Sequence, residues 1–128
     1  MRSLRMTAQE YAEFQQRKRQ PKETAPPVPT HGELMKAVRD LLRSCGIEHY
    51  PNVQGPLSVK GLPDITAILA PWPYVGIEVK KKDDDLSPKQ KEWRDRIERA
   101  GGLYIVAQHT GAVDAVIDGL GIRGRFLV

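Results

Sequence analysis

Two short runs hold residue types able to act together on a phosphate ester: Pro63-Asp64, and Glu78-Val79-Lys80 further along the chain. Two carboxylates can hold a hard divalent cation such as Mg²⁺ while it keeps several waters and one or two phosphate oxygens. Such an ion polarises the phosphate and lowers the pKa of a bound water. A lysine beside it can steady the nucleophile or offset charge developing on the phosphate, and as a general base it would need a lowered pKa. The grouping suits phosphodiester hydrolysis. Read without chemistry, Asp64 caps the loop after Pro63, and Glu78 with Lys80 belongs to a solvated strand face.

The chemical reading requires elements that bring the two runs together. Ile65 to Ala70 and Tyr74 to Lys80 are apolar, β-leaning stretches, and the Pro71-Trp72-Pro73 between them cannot continue a ladder. A hairpin follows. Antiparallel pairing across a tight loop centred near Trp72 sets Asp64 opposite Glu78 to Lys80, where cross-strand neighbours lie about 5 Å apart. Along the second strand Val75, Ile77 and Val79 point to one face, and Gly76, Glu78 and Lys80 to the other.

Helices flank this hairpin in the sequence. Thr30-His31-Gly32-Glu33 reads as a capping box, followed by Leu34, Val38, Leu41, Leu42 and Cys45 on one helical face and Gly46 as the stop. Residues 47–53 read as a short strand and 54–63 as a loop. Ser87-Pro88-Lys89-Gln90 opens another helix, with Trp93, Ile97 and Ala100 as its buried stripe and Gly101 at its end. Leu103 to Ala107 is a buried-type strand, and residues 112–119 suit a last short helix. The order α-β-β-β-α-β-α predicts an α/β (α+β) fold, a mixed central sheet flanked by helices.

Thr7-Ala8-Gln9-Glu10 is a further capping box, and a thinly apolar helix could run from it to about Arg19 before Pro21. Residues 21–29 contain four prolines and read as a semi-extended linker. The chain of 128 residues therefore divides into a basic helical arm with its linker (1–29) and a compact domain (30–128). Residues 1–30 carry six basic and three acidic side chains, against 14 and 13 in the remainder. Any phosphate-binding surface on the body must then come from local clusters, and Lys60, Lys81, Lys82 and Lys89 surround the proposed site in sequence. No apolar stretch approaches the roughly 18 to 20 residues of a membrane span. The single cysteine, Cys45, excludes an internal disulfide framework and a multi-thiolate zinc site, so a reducing, intracellular (cytoplasmic) setting is expected.

The pattern resembles the PD-(D/E)xK nuclease superfamily and, in more detail, the virus-type replication-repair nuclease (VRR-NUC) domains. The resemblance rests on Glu33, Gly61-Leu62-Pro63-Asp64, Glu78-Val79-Lys80, Ser87-Pro88-Lys89-Gln90, and Gly101-Gly102 ahead of Leu103 to Val106, in that order. It implies a restriction-endonuclease-like core and a structure-selective DNA endonuclease using Mg²⁺ or Mn²⁺. In that frame Asp64, Glu78 and the Val79 carbonyl hold metal, Lys80 assists attack, Gln90 stands beside the lysine, and Glu33 lies near the metal. Glu33 has a second reading, since a glutamate at the third helical position completes a capping box without further purpose.

Small stand-alone members resemble Holliday-junction resolvases, which implies branched DNA as partner and a homodimer, with Phe126-Leu127-Val128 as a candidate contact. Two alternatives stand beside this. One is a DNA-binding module without catalysis, and the other a nuclease subunit of a larger replication, repair or defence assembly acting on flaps. His31, His49 and His109 lack metal-ligand spacing, Asp83 to Asp85 read as a solvated turn, and Trp72 either packs under the hairpin or faces a partner.

Overall fold

The computed structural model describes residues 7–19 and 27–123. Phe126-Leu127-Val128 and most of the Pro-rich linker lie outside the described residues. Helix α1 spans Ala8–Arg19, α2 His31–Ser44, α3 Pro88–Arg99 and α4 Ala112–Leu120. The strands are β1 Glu48–Pro51, β2 Ile65–Ile68, β3 Val75–Lys80 and β4 Leu103–Gln108. They form one sheet in the order β1-β2-β3-β4. The first two pairings are antiparallel and β3 with β4 is parallel, so α3 is the crossover between them.

The caps behave as their residue types require. Thr30 Oγ1 accepts from Glu33 N–H at 3.1 Å, and Glu33 Oε1 accepts from Thr30 N–H at 3.2 Å. The same reciprocal pair of bonds joins Ser87 and Gln90 at the start of α3, with Pro88 at the first helical position. Each box satisfies donors that a helix start leaves orphaned, worth about 1 kcal/mol per cap. At the start of α1, Thr7 Oγ1 accepts from Glu10 N–H.

The core lies on one face of the sheet. Leu34, Val38 and Leu42 of α2 and Val116 and Leu120 of α4 cover Ile65, Ala67, Val75, Ile77, Val79, Ile105 and Ala107. These strand residues are the odd-numbered ones, as a period of two demands. Cys45 and Trp72 pack against the same cluster, which settles the tryptophan under the hairpin. Among the described residues no helix is long and apolar enough to cross a membrane.

The non-chemical reading of Glu78 and Lys80 as a solvated strand face fails at Glu78, because Val75 to Val79 are all buried. β3 is an interior strand, and its even-numbered side is covered in turn by Pro63, Tyr74 and α3. Gly76 is required there: a β-carbon at that position would stand 2.6 Å from Pro63 Cγ and 3.0 Å from Tyr74 Cε1.

Candidate active site

The hairpin register is Ile65 opposite Ile77, Thr66 opposite Gly76 and Ala67 opposite Val75. One step beyond the ladder, Asp64 meets the Glu78-Val79 peptide, and its Oδ2 accepts from Val79 N–H at 2.8 Å. Pro63, fully buried, seats in the space above Gly76 and so delivers Asp64 to that place. The other side of the turn is fastened by Asn52. Its backbone N–H donates to Asp64 O at 2.8 Å, and its Nδ2 donates to Pro63 O at 2.7 Å and to Thr66 Oγ1 at 2.9 Å.

Asp64, Glu78, Val79, Lys80 and Gln90 line one cavity of about 240 Å³, together with His31, Gln54, Gly61, Leu62 and Asp84. Glu78 is only 3% exposed. Its Oε1 accepts from Gln90 Nε2 at 3.0 Å, while Oε2 is buried with no hydrogen-bond partner. Burial first, and the neighbouring Asp64 charge second, push the Glu78 carboxyl up to about 8, with Lys80 pulling weakly the other way. Tyr104 of β4 has a buried hydroxyl without a partner, and burial followed by the Glu78 charge raises its phenol further.

The geometry sorts the candidate residues. Asp64, Glu78, Lys80 and Gln90 come together with the Val79 backbone. Glu33 does not join them: its carboxylate is turned back onto Thr30 N–H and does not line the cavity. A carboxylate at the third helical position has only acceptors, and the nearest unsatisfied donor is its own N-cap amide. Lys60, Lys81, Lys82 and Lys89 are exposed around the site and outside the cavity lining, with Lys89 Nζ 3.5 Å from Glu92 Oε2.

His31 is the residue that spacing gave no reason to choose. It opens α2, and its Nε2 lies 3.4 Å from Asp64 Oδ2 across 33 positions of sequence. Asp84 and Gln54 also reach the cavity from loops. Only the N-terminal position of His31, on a helix start that packs near the hairpin, could have hinted at this, and periodicity carries no such signal.

Among the described residues no three His, Cys, Asp or Glu side chains are arranged to hold a metal ion. The pair Asp64 and Glu78 with a backbone carbonyl could do so. A buried carboxylate oxygen without a partner, on an acid whose pKa burial first and the Asp64 charge second hold up, is a donor that a hard divalent cation relieves.

Residues 6–110 match the family model of the VRR-NUC domain. A solved structure titled "VRR_NUC domain" aligns with a TM-score of 0.58 at 22% identity, covering 69% of this chain and 94% of that one, a likeness of fold. No curated protein matches the sequence. With the family match spanning most of its length, the fold aligned, and the hairpin carrying Asp64 and Glu78-Val79-Lys80 into one cavity, the chain belongs to the VRR-NUC family of nucleases.

Proposed function

We propose that this VRR-NUC chain is a metal-dependent, structure-selective DNA endonuclease that cuts branched, Holliday-junction-like DNA. The observation that carries the reading is the Asp64–Glu78 pair, held 15 and 12 positions away in sequence by Val79 N–H and Gln90 Nε2 and lining one cavity with Lys80. Asp64, Glu78 and the Val79 carbonyl would hold Mg²⁺ or Mn²⁺. When bound, the ion supplies charge neutralisation at the phosphate and a more acidic water.

The chain's own groups supply the rest. The Asp64 carboxylate is fixed in orientation by Val79 N–H, so it offers its oxygens without reorganisation. Gln90 orients Glu78. Lys80, on the same face of β3 as Glu78, presents an ammonium to the phosphate and offsets the charge that grows there. Lys60, Lys81, Lys82 and Lys89 would contact flanking phosphates and set register without reading sequence. A homodimer would let two strands of a junction be cut symmetrically.

The test is incubation of labelled four-way junction, flap, single-stranded and duplex DNA with the protein, with and without Mg²⁺ or Mn²⁺, and with Glu78→Ala as the control for contaminating nuclease. Metal-dependent cutting lost in the variant supports the nuclease, and paired symmetric nicks make it a resolvase. Binding by both proteins with no cutting of any substrate favours a module that only binds DNA. Light scattering that returns a monomer counts against the dimer.

A further inference from the structure

The loop between β1 and β2 holds three aliphatic side chains on the surface, Val53, Leu57 and Val59. Leu57 is wholly exposed and Val53 is 83% exposed. Single apolar residues on a surface are ordinary. This one sits in a setting that is not. Its turn is closed from both sides: Ser58 N–H and Ser58 Oγ both donate to Gly55 O, and Gly55 N–H donates to Ser58 Oγ. Pro56 precedes it with a fixed φ. The tip is therefore a small rigid knob, with an apolar end.

The base of the loop is fastened to the site itself. Asn52 N–H donates to Asp64 O, and Trp93 Nε1 donates to Lys60 O at 3.1 Å. Gly61, at φ 87°, lies so close to α3 that a β-carbon there would stand 2.7 Å from the Lys89 carbonyl. Gln54 on one shoulder of the loop, and Gly61 and Leu62 on the other, line the same cavity as Asp64 and Glu78. The knob is thus carried by a loop whose two shoulders form part of the cavity wall. From Val53 to Pro63 the single charged residue is Lys60, so no carboxylate on the loop repels a phosphate.

A rigid apolar tip beside a phosphodiester-cutting site, on a loop whose one charge is positive, suits an unstacked base step. Aliphatic wedges enter such steps and are opposed by the cost of unstacking, a few kcal/mol in intact duplex and least where pairing is already broken. We propose that Leu57 is a wedge: it enters the open base step at a branch point and so places the neighbouring phosphate over Asp64 and Glu78. The inference rests on the DNA-cutting reading above and adds the means by which a branch is chosen over duplex.

The experiment uses the full chain carrying Lys80→Ala, so that DNA stays intact in Mg²⁺, and a four-way junction with 2-aminopurine at its branch point. A duplex of the same local sequence is the reference. Leu57→Ser and Leu57→Met are compared in this background. Because the Leu57 side chain is wholly exposed, both variants should melt with the parent. The expected result is a fluorescence rise on junction binding that Leu57→Ser abolishes and Leu57→Met retains. Junction affinity should fall about tenfold or more with serine, as expected for one leucine side chain no longer buried, and duplex affinity should stay unchanged.

Equal fluorescence and equal junction affinity in the parent and Leu57→Ser would overturn the wedge while leaving the nuclease reading intact. A change of oligomeric state with Leu57→Ser, alongside an unaltered junction response, would overturn it in favour of a contact between copies. If the unmodified protein neither binds nor cuts any DNA, the nuclease reading itself fails, and the wedge with it.

Discussion

Gln90 divides its carboxamide between two tasks: Oε1 accepts from Ser87 N–H at 2.8 Å to cap α3, and Nε2 donates to Glu78 Oε1 at 3.0 Å. An amide can do both because it carries an acceptor and two donors on one plane. Glu33 holds the equivalent place at the start of α2, has acceptors only, and serves its cap alone. Two capping boxes of the same form thus differ in chemistry, and the difference lies in one side-chain atom.

Gln90→Glu separates the two tasks. The cap survives, since a carboxylate accepts from Ser87 N–H as well as an amide does, but the donor to Glu78 is replaced by a third negative charge. Cutting should fall by roughly tenfold to a hundredfold, the range seen when a partner orienting a metal ligand is lost. Thermal stability at acidic pH should change little. Gln90→Ala should instead cost about 1 kcal/mol by losing the cap. Denaturant titration alongside initial cutting rates checks both.

Glu78 makes the metal-free protein sensitive to pH. Its carboxyl titrates near 8 in the folded chain and in the ordinary range near 4.5 when unfolded, so between those values the folded state binds the extra proton. Stability is then full below about pH 4.5, falls as pH rises towards 8, and levels off above it. Glu78→Gln should remove this fall. In chelator at pH 8 the variant should melt roughly 5 °C or more above the parent, since about 1 kcal/mol moves the Tm of a small domain by ~4–8 °C. Melting curves across pH 5 to 9 read the sign directly.

Divalent cation should reverse the same effect. Binding that requires Glu78 ionised displaces its proton, so at pH 7 the heat of Mn²⁺ binding should vary with the ionisation enthalpy of the buffer. A cation at about a hundred times its Kd should add ~2.7 kcal/mol to folding stability. Asp64→Asn should abolish both signals. Calorimetry in two buffers and a melting series with added Mn²⁺ test this without any DNA.

Lys80→Ala should lower cutting by at least about a hundredfold, as expected for losing one group that meets developing charge. Circular dichroism and DNA affinity should remain close to the parent. Turnover near the parent rate in a preparation free of contaminating nuclease would remove Lys80 from the chemistry.

Gly76→Ala places a methyl group where Pro63 Cγ now lies 2.6 Å away. Overpacking of this kind costs about 1–3 kcal/mol. Pro63 must move, and Asp64 moves with it, so activity should fall more than the unfolded fraction explains. Cutting rates measured well below the variant's Tm make the distinction.

What the sequence determined by itself is local. Caps are written within four residues, helix faces within eleven, and the hairpin register within the span around Pro71-Trp72-Pro73, which is why pairing across that span alone sets Asp64 opposite Glu78. Short-range geometry has few solutions, and these residue types leave one. Tertiary structure decided what distance in sequence conceals. It placed β4 parallel against β3 and buried both faces of that strand, so Glu78 lost water and its acidity changed. It brought His31 to Asp64 across 33 positions, turned Asp84 and Gln54 into the cavity, and left Leu57 exposed on the loop whose shoulders line it. Each of these depends on how layers pack, and a side chain's surroundings in a packed layer come from segments whose order in the chain carries no period to read.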